Sequence, residues 1–260
     1  MPTETLPFDP NQVPKLLKEG RIKVVKAVPV TPDRPLHGDR RVEKARQLFG
    51  EDFLGEEAIH TMEAKFLAAG VDVHFVIPQV TFPLDESAVQ AAKDEERRGR
   101  ARMVVLRPEA MVVNGQNKPV TLLEFRNLFK DHPNPFGSGK VFYDQTWYDD
   151  QDFAKQPMAA GFALPTKDVL QDSLNKTWTA QQVLVQQGER RREGIETVWD
   201  LVLYYAATGK KLLESRWDWG NTRASVDRLV AVGRFGSDGL RVGGWSPTRQ
   251  LPDFGVCLSR

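Results

Sequence analysis

The chain has 260 residues, of which 40% are hydrophobic, with a formal net charge of +1 and a single cysteine, Cys257. That is enough apolar material for a real core, while the near-neutral balance provides no global field to steer nucleic acid or membranes. One cysteine excludes an intrachain disulfide and a thiolate metal cage. The opening Met1-Pro2-Thr3-Glu4-Thr5-Leu6-Pro7 lacks the basic start and apolar stretch of a signal peptide, and no run reaches membrane-spanning length. The expectation is cytoplasmic synthesis without a signal peptide, no membrane partner and an open final site.

Residues 1–38 carry Pro2, Pro7, Pro10, Pro14, Pro29, Pro32 and Pro35 around one strand candidate at 22–30, which predicts an extended arm. Hydrophobic periodicity then predicts helices at 40–48 and 56–69, a strand at 71–77, a helix at 86–98 and a strand at 103–107. Thr121-Leu122-Leu123-Glu124 has the form of a capping box, opening a short helix that ends near Phe129. Asp131-His132-Pro133-Asn134-Pro135-Phe136-Gly137-Ser138-Gly139 is rich in turn formers and free of periodicity, so it predicts a linker closing a small α/β unit at 39–138. Beyond it come a strand at 141–147, the stretch Gly161-Phe162-Ala163-Leu164-Pro165-Thr166, and a helix from Lys167 to about Leu174. A longer helix follows from Gly194 to Thr208, closed by Gly209 in the left-handed conformation.

The last 46 residues, Ser215 to Arg260, differ in composition from everything before them. They contain no Lys, Glu, Met or His but seven Arg, seven Gly, three Trp and four Asp. The preceding 214 residues hold 15 Lys and 16 Glu; at that rate roughly six or seven would fall in the tail by chance. Within it, Arg216-Trp217-Asp218-Trp219, Arg228 to Phe235 and Gly239 to Trp245 alternate apolar with small or Arg residues, the period of half-buried strands. Gly236-Ser237-Asp238-Gly239 reads as the turn between two of them. The alternation predicts Trp217, Trp219, Val230, Val232 and Val242 buried beneath an exposed set containing Arg228, Ala231, Arg234, Arg241, Gly243, Ser246, Thr248 and Asp253.

Other motifs carry less. Gly137-Ser138-Gly139-Lys140 lacks the upstream Gly of a phosphate loop, and Val141 replaces the magnesium-holding hydroxyl. Asp144, Asp149, Asp150 and Asp152 are acidic enough for calcium but lack its loop spacing. His37, His60, His74 and His132 are scattered, and Arg190-Arg191-Arg192 reads as a charged turn before a helix.

The stretch Gly161 to Asp168 resembles the Arg-Leu-Pro-Thr element of the formylglycine-generating-enzyme branch of the C-type lectin fold. Val242-Gly243-Gly244-Trp245 and Phe254 to Arg260 are similar to the terminal strands of that fold. The C-terminal half, Trp217 to Arg260 most closely, resembles the variable proteins of diversity-generating retroelements, in which a reverse transcriptase rewrites a C-terminal repeat at template adenines. The resemblance implies a reason for the filtered composition: randomised codons of the AAC form cannot encode Lys, Glu, Gln, Met or Trp but readily give Arg, Gly, Asp, Ser, Ala, Thr and Leu. Gln250 lies outside that set, and Trp217, Trp219 and Trp245 would be fixed scaffold. Residues 1–138 are not covered.

These readings predict an α+β protein: a Pro-rich arm at 1–38, a small α/β unit and linker at 39–138, and a C-type lectin-like domain at 139–260 with a variable segment at 216–260. The resemblance implies a protein that binds a macromolecular ligand, a protein, through Arg216, Asp218, Asn221, Arg223, Arg228, Ala231, Arg234, Gly236, Arg241, Gly243, Gly244, Ser246, Thr248, Arg249, Leu251 and Asp253. No catalytic residue, cofactor or metal is expected. One alternative is an Arg/Trp-rich sheet that binds nucleic acid, with Trp217, Trp219 and Trp245 as stacking platforms. The other is a formylglycine-generating-enzyme-like oxidoreductase, which needs a cysteine pair or His-rich metal site; this half has one Cys and no His after His132.

Overall fold

The computed structural model describes residues 39–260; the expected arm at 1–38, with its strand candidate at 22–30, lies outside the described residues. Residues 40–260 form one compact α+β unit. In chain order its elements are α1 (Arg40–Phe49), β1 (Phe53–Leu54), α2 (Glu56–Ala68), β2 (Val73–Val76), α3 (Glu86–Asp94), β3 (Val104–Arg107), β4 (Ala110–Val113), β5 (Gln116–Pro119) and α4 (Leu122–Asn127). They continue with β6 (Gly161–Ala163), α5 (Trp178–Gln181), β7 (Arg190–Arg191), α6 (Gly194–Thr208), β8 (Trp217–Ser225), β9 (Arg228–Gly236), β10 (Gly239–Trp245), β11 (Phe254–Gly255) and β12 (Leu258–Ser259). No helix among the described residues is long and apolar enough to cross a membrane.

Helix α6 is the axis of the molecule. Every residue from Gly194 to Ala206 is buried, so this helix has no solvent face and must be covered on all sides. Its N-terminus closes with a reciprocal capping box between Glu193 and Glu196, and Gly209 ends it at φ 73°, as the sequence predicts. Trp199 of α6 packs edge-on against Phe75 of β2 at 4.9 Å and lies 5.2 Å from Phe125 of α4, while its Nε1 donates to the Leu106 carbonyl of β3. On the other flank, Val230, Val232, Phe235, Leu240 and Val242 of the C-terminal sheet join the same core.

That core runs straight through the expected linker. Phe136 packs edge-on against Phe66 at 5.4 Å and Tyr205 at 5.9 Å, and Asn134 Nδ2 donates to the Tyr205 hydroxyl. The turn-forming residues at 131–139 bend the chain, but they do so across a shared core and mark no break in packing.

Four small sheets surround α6: β1-β3-β6, β2-β4-β5, β12-β7 and the C-terminal β10-β9-β8-β11. The last is antiparallel from β10 to β8, and β11 joins β8 in parallel. Its β9–β10 hairpin turns at Ser237–Asp238 as expected, with Gly239 at φ 107°. The hairpin β4–β5 is absent from the sequence reading, although Asn114 (φ 48°) and Gly115 (φ 75°) are the pair that favours a two-residue turn.

Three expected elements are corrected. Residues 141–147 form no strand; only Phe142 bridges to Leu240. Residues 167–174 form no α-helix, because tertiary pairing has claimed the neighbouring backbone: Thr166 N donates to Leu258 O and Leu170 N to Val256 O, leaving one 3-10 turn at Gln171–Ser173. At 86–98 the α-helix stops at Asp94 and continues as a 3-10 turn to Arg98. The capping box at Thr121 forms by half: Thr121 Oγ1 accepts from Glu124 N, while the Glu124 carboxylate takes Lys118 and the Thr121 amide donates to Pro119 O.

Candidate functional site at the C-terminal sheet

Strands β8, β9 and β10 carry two buried faces. Toward α6 lie Val230, Val232 and Val242 with Asp218; on the reverse lie Trp217, Trp219, Leu229, Ala231 and Phe254 as a second cluster, against which Trp178, Trp245 and Leu251 pack. Trp217 stacks on Phe254 at 5.5 Å, and Phe254 meets Trp219 and Trp245 edge-on. The turn segment 246–253 and α5 close over this cluster: Trp178 N donates to Pro247 O and Trp217 N to Asp253 O. All five apolar residues expected to be buried are buried.

Two residues expected on the exposed surface are scaffold. Asp218 is 1% exposed; its Oδ2 accepts from Arg192 Nη2 at 2.8 Å and Thr197 Oγ1 at 2.9 Å, and its Oδ1 from the Cys257 amide at 2.8 Å. Ala231 is fully buried in the register Trp219–Ala231–Gly243 across three strands. The correction has one cause, since both faces of the sheet are covered: Asp218 meets Arg192 and α6, and Ala231 meets the tryptophan cluster, neither of them water.

The remaining positions divide by what holds them. Asn221, Arg223, Arg228, Arg234, Thr248 and Arg249 are exposed; Arg216, Gly236, Arg241, Gly243, Gly244, Ser246, Leu251 and Asp253 are half-buried. Arg216 Nη1 donates to Pro252 O, Arg234 pairs with Asp253, and Arg241 pairs with Asp238 while its guanidinium lies 4.2 Å from the Tyr143 ring centre. Ser246 and Thr248 share a hydroxyl contact at 2.9 Å, and Arg249 lies over Trp245. Gly236 O accepts from Lys211, and Leu251 packs on the tryptophan cluster. At Gly243 a Cβ would come within 2.5 Å of Trp245 Nε1, and at Gly244 within 3.3 Å of Trp147, so larger residues there require these rings to move. The expected set therefore does not gather on one face: Arg228, next to inward Leu229, points to the opposite side of β9 from Ala231 and Gly243.

Beneath the surface runs a buried ionic network that sequence reading missed. Arg107 Nη2 meets Asp200 at 2.8 Å and its Nη1 meets Glu196 at 2.6 Å, while Arg192 bridges Asp200 at 3.0 Å and Asp218 at 2.8 Å. Burial works against the charge on Arg192, but the surrounding acidic groups, Asp218 foremost and Asp200 with it, together outweigh burial and hold the guanidinium more basic than usual. Burial also works against the charge on Glu196, yet Arg190 and Arg107 outweigh it and hold the carboxyl below its ordinary range. Arg191 has no carboxylate in contact: four neutral oxygens, of Gln181, Gln182, Trp219 and Trp178, surround it over the Trp178 face, and burial lowers its pKa to about 10. The run Arg190-Arg191-Arg192, read as a charged turn, is thus the clamp between α6 and β8. Its sequence signal was the pair of acids, Glu196 and Asp200, on a helix that is otherwise largely apolar, directly after an arginine run of which Arg190 and Arg192 take them as partners.

Cys257 is buried, and desolvation pushes its thiol well above the usual value. Among the described residues no group of three or more His, Cys, Asp or Glu gathers to hold a metal; of the acidic run, Asp144 pairs with Lys140 and Asp149 with Arg126. A groove of about 410 Å³ opens beside the β8–β9 hairpin, lined by Gln151, Asp152, Gln156, Glu193, Asn221 and Arg223 among others. Comparison with known protein families, curated proteins and solved structures finds no match for the chain.

Proposed function

We propose that this chain is a ligand-binding display protein with a C-type lectin-like C-terminal half, whose exposed positions around β8–β10 and the 246–253 turn are rewritten by a retroelement. The observation that carries the reading is the division of labour in the tail. Core positions are Trp, Val, Leu and Phe, locked from both sides, while Asn221, Arg223, Arg228, Arg234, Thr248 and Arg249 are exposed and drawn from the restricted residue set. Exposed substitutions cost little stability, so such positions can change freely. Asp218 and Ala231 are not part of the proposed surface. A nucleic-acid sheet fits less well, because Trp217 and Trp219 offer no open ring face for bases.

The test is the flanking DNA. A near-repeat of the coding region for Trp217 to Arg260, beside a reverse transcriptase gene, should carry adenines at the codons of Arg223, Arg228, Arg234 and Arg249 and match the gene at Asp218 and Gly233. No such repeat, or mismatches concentrated at the Asp218 and Gly233 codons, would sink the reading.

A further inference from the structure

Two tight turns of this chain carry a residue pair that can rearrange covalently, and the structure treats them oppositely. Asn114-Gly115 and Asp238-Gly239 are the single Asn-Gly and the single Asp-Gly in the sequence. In each, attack of the glycine nitrogen on the preceding side-chain carbonyl closes a five-membered ring, and a glycine brings no Cβ to shield that nitrogen.

At the β9–β10 turn the attack is obstructed. Gly239 is buried, and a Cβ there would lie 2.4 Å from the Phe142 carbonyl carbon and 2.5 Å from Tyr143 N, so main chain packs directly on this glycine. Asp238 is paired with Arg241, which keeps its carboxyl ionised and therefore a poor electrophile. At the β4–β5 turn nothing obstructs it. Asn114 (φ 48°) and Gly115 (φ 75°) are both exposed, and a Cβ at Gly115 would meet nothing within 4 Å. Neither the Gly115 N–H nor the Asn114 side-chain amide is hydrogen-bonded among the described residues; the turn is tethered through Asn114 N, which donates to Asp72 O. The other described asparagines precede Lys118, Leu128, Pro135, Lys176 and Thr222, where a side chain shields the nitrogen or, at Pro135, there is no N–H to lose.

We infer that Asn114 is a site of spontaneous deamidation in the folded protein, and that the isoaspartate it forms breaks the β4–β5 turn. Hydroxide takes the Gly115 amide proton and the nitrogen attacks Asn114 Cγ. The Cγ–Nδ2 bond then breaks, and Nδ2 takes a proton from water and leaves as ammonia. Water opens the resulting succinimide at either carbonyl. Opening at Cγ gives Asp, whereas opening at the main-chain carbonyl gives isoaspartate, which routes the chain through the side chain and adds one methylene to it. Val113 pairs with Gln116 across two residues, so an added main-chain atom disturbs the register that holds β4, with buried Met111, in the β2-β4-β5 sheet. The chemistry is independent of what the C-terminal sheet binds.

The experiment incubates the full chain, folded and in urea, at neutral and mildly alkaline pH, and follows its peptides by mass and by enzymatic methylation of isoaspartate. The peptide containing Asn114 should gain one dalton before any other asparagine peptide of residues 39–260, and faster at the higher pH. Its rate in the folded chain should lie within about tenfold of the rate in urea, because an exposed turn tip opens at little free-energy cost. Asn114→Gln, which would have to close a six-membered ring, should remove the gain. Freshly prepared Asn114→Asp should melt with the unmodified protein, and the isoaspartate fraction should melt below both. A folded rate more than about tenfold below the urea rate, first modification at another asparagine, or isoaspartate appearing at Asp238 as fast as at Asn114 overturns the site. An isoaspartate fraction that melts with the Asn114→Asp variant overturns the effect on the turn.

Discussion

Asp218 and Arg228 stand ten residues apart in a segment of uniform composition, and their side chains have opposite fates. Asp218 holds Arg192, Thr197 and the Cys257 amide in a region without water contact. Removing it leaves Arg192 buried with Asp200 as its remaining carboxylate, so Asp218→Ala should cost about 3–5 kcal/mol in urea unfolding. Arg228→Ala, on an exposed side chain that forms no ion pair among the described residues, should shift the same midpoint by no more than about 0.5 kcal/mol. Similar losses for the two would refute the division between scaffold and surface. Trp219→Ala, at the centre of the reverse-face cluster, should cost about 3–5 kcal/mol, as truncating a buried aromatic does.

The strands and α6 show which elements local sequence specifies. The span of α6 is legible because its cap, apolar run and terminal Gly agree, and because it is long enough for the pattern to repeat. Gly209 tests this at one point: a Cβ there meets nothing within 4 Å, so Gly209→Ala carries only the left-handed backbone penalty, about 1 kcal/mol by thermal unfolding. A change below a few tenths would mean that the helix end relaxes. Gly233 is different in kind, because a Cβ would collide with the Arg216 carbonyl and the Trp217 backbone where the chain enters β8, and Gly233→Ala should separate β8 from β9 and cost more than Gly209→Ala. The 167–174 stretch was not legible, since its pattern suits a helix and only the arrival of β11 and β12 withdraws the amides.

At the scale of the whole molecule, two buried ionic networks tie distant segments together. Arg102 links Glu95 with Glu189, and Arg260 reaches Glu95, while the network around Arg107 and Arg192 joins β3, α6 and β8. Glu196 and Glu95 are both held below the ordinary 4.5 by their arginines against the opposing effect of burial. A carboxyl lowered on folding stabilises the native state above its unfolded value, and that contribution is lost as pH falls through the folded value. Stability to urea should therefore be level from about pH 7 to about pH 5 and fall progressively below 4.5. A midpoint that rises on acidification would contradict this assignment.

The sequence alone determined the strand triad, its turn at Ser237–Asp238, the helix from Gly194 to Thr208 and the burial of Trp217 and Trp219. Period, turn residues and caps are local properties that survive without knowledge of neighbours. The two-residue signal at Asn114-Gly115 was equally local and went unread. Only the tertiary structure decided that the sheet is covered on both faces, which turns Ala231 and Asp218 from surface into scaffold, and that the Asp131–Gly139 stretch bends within one core. Alternation tells which residues share a face but not what lies against it, and turn formers tell where a chain bends but not whether packing stops there. The identity of the arginines was written in the sequence; which of them found a carboxylate was settled by long-range contacts between residues such as Arg234 and Asp253.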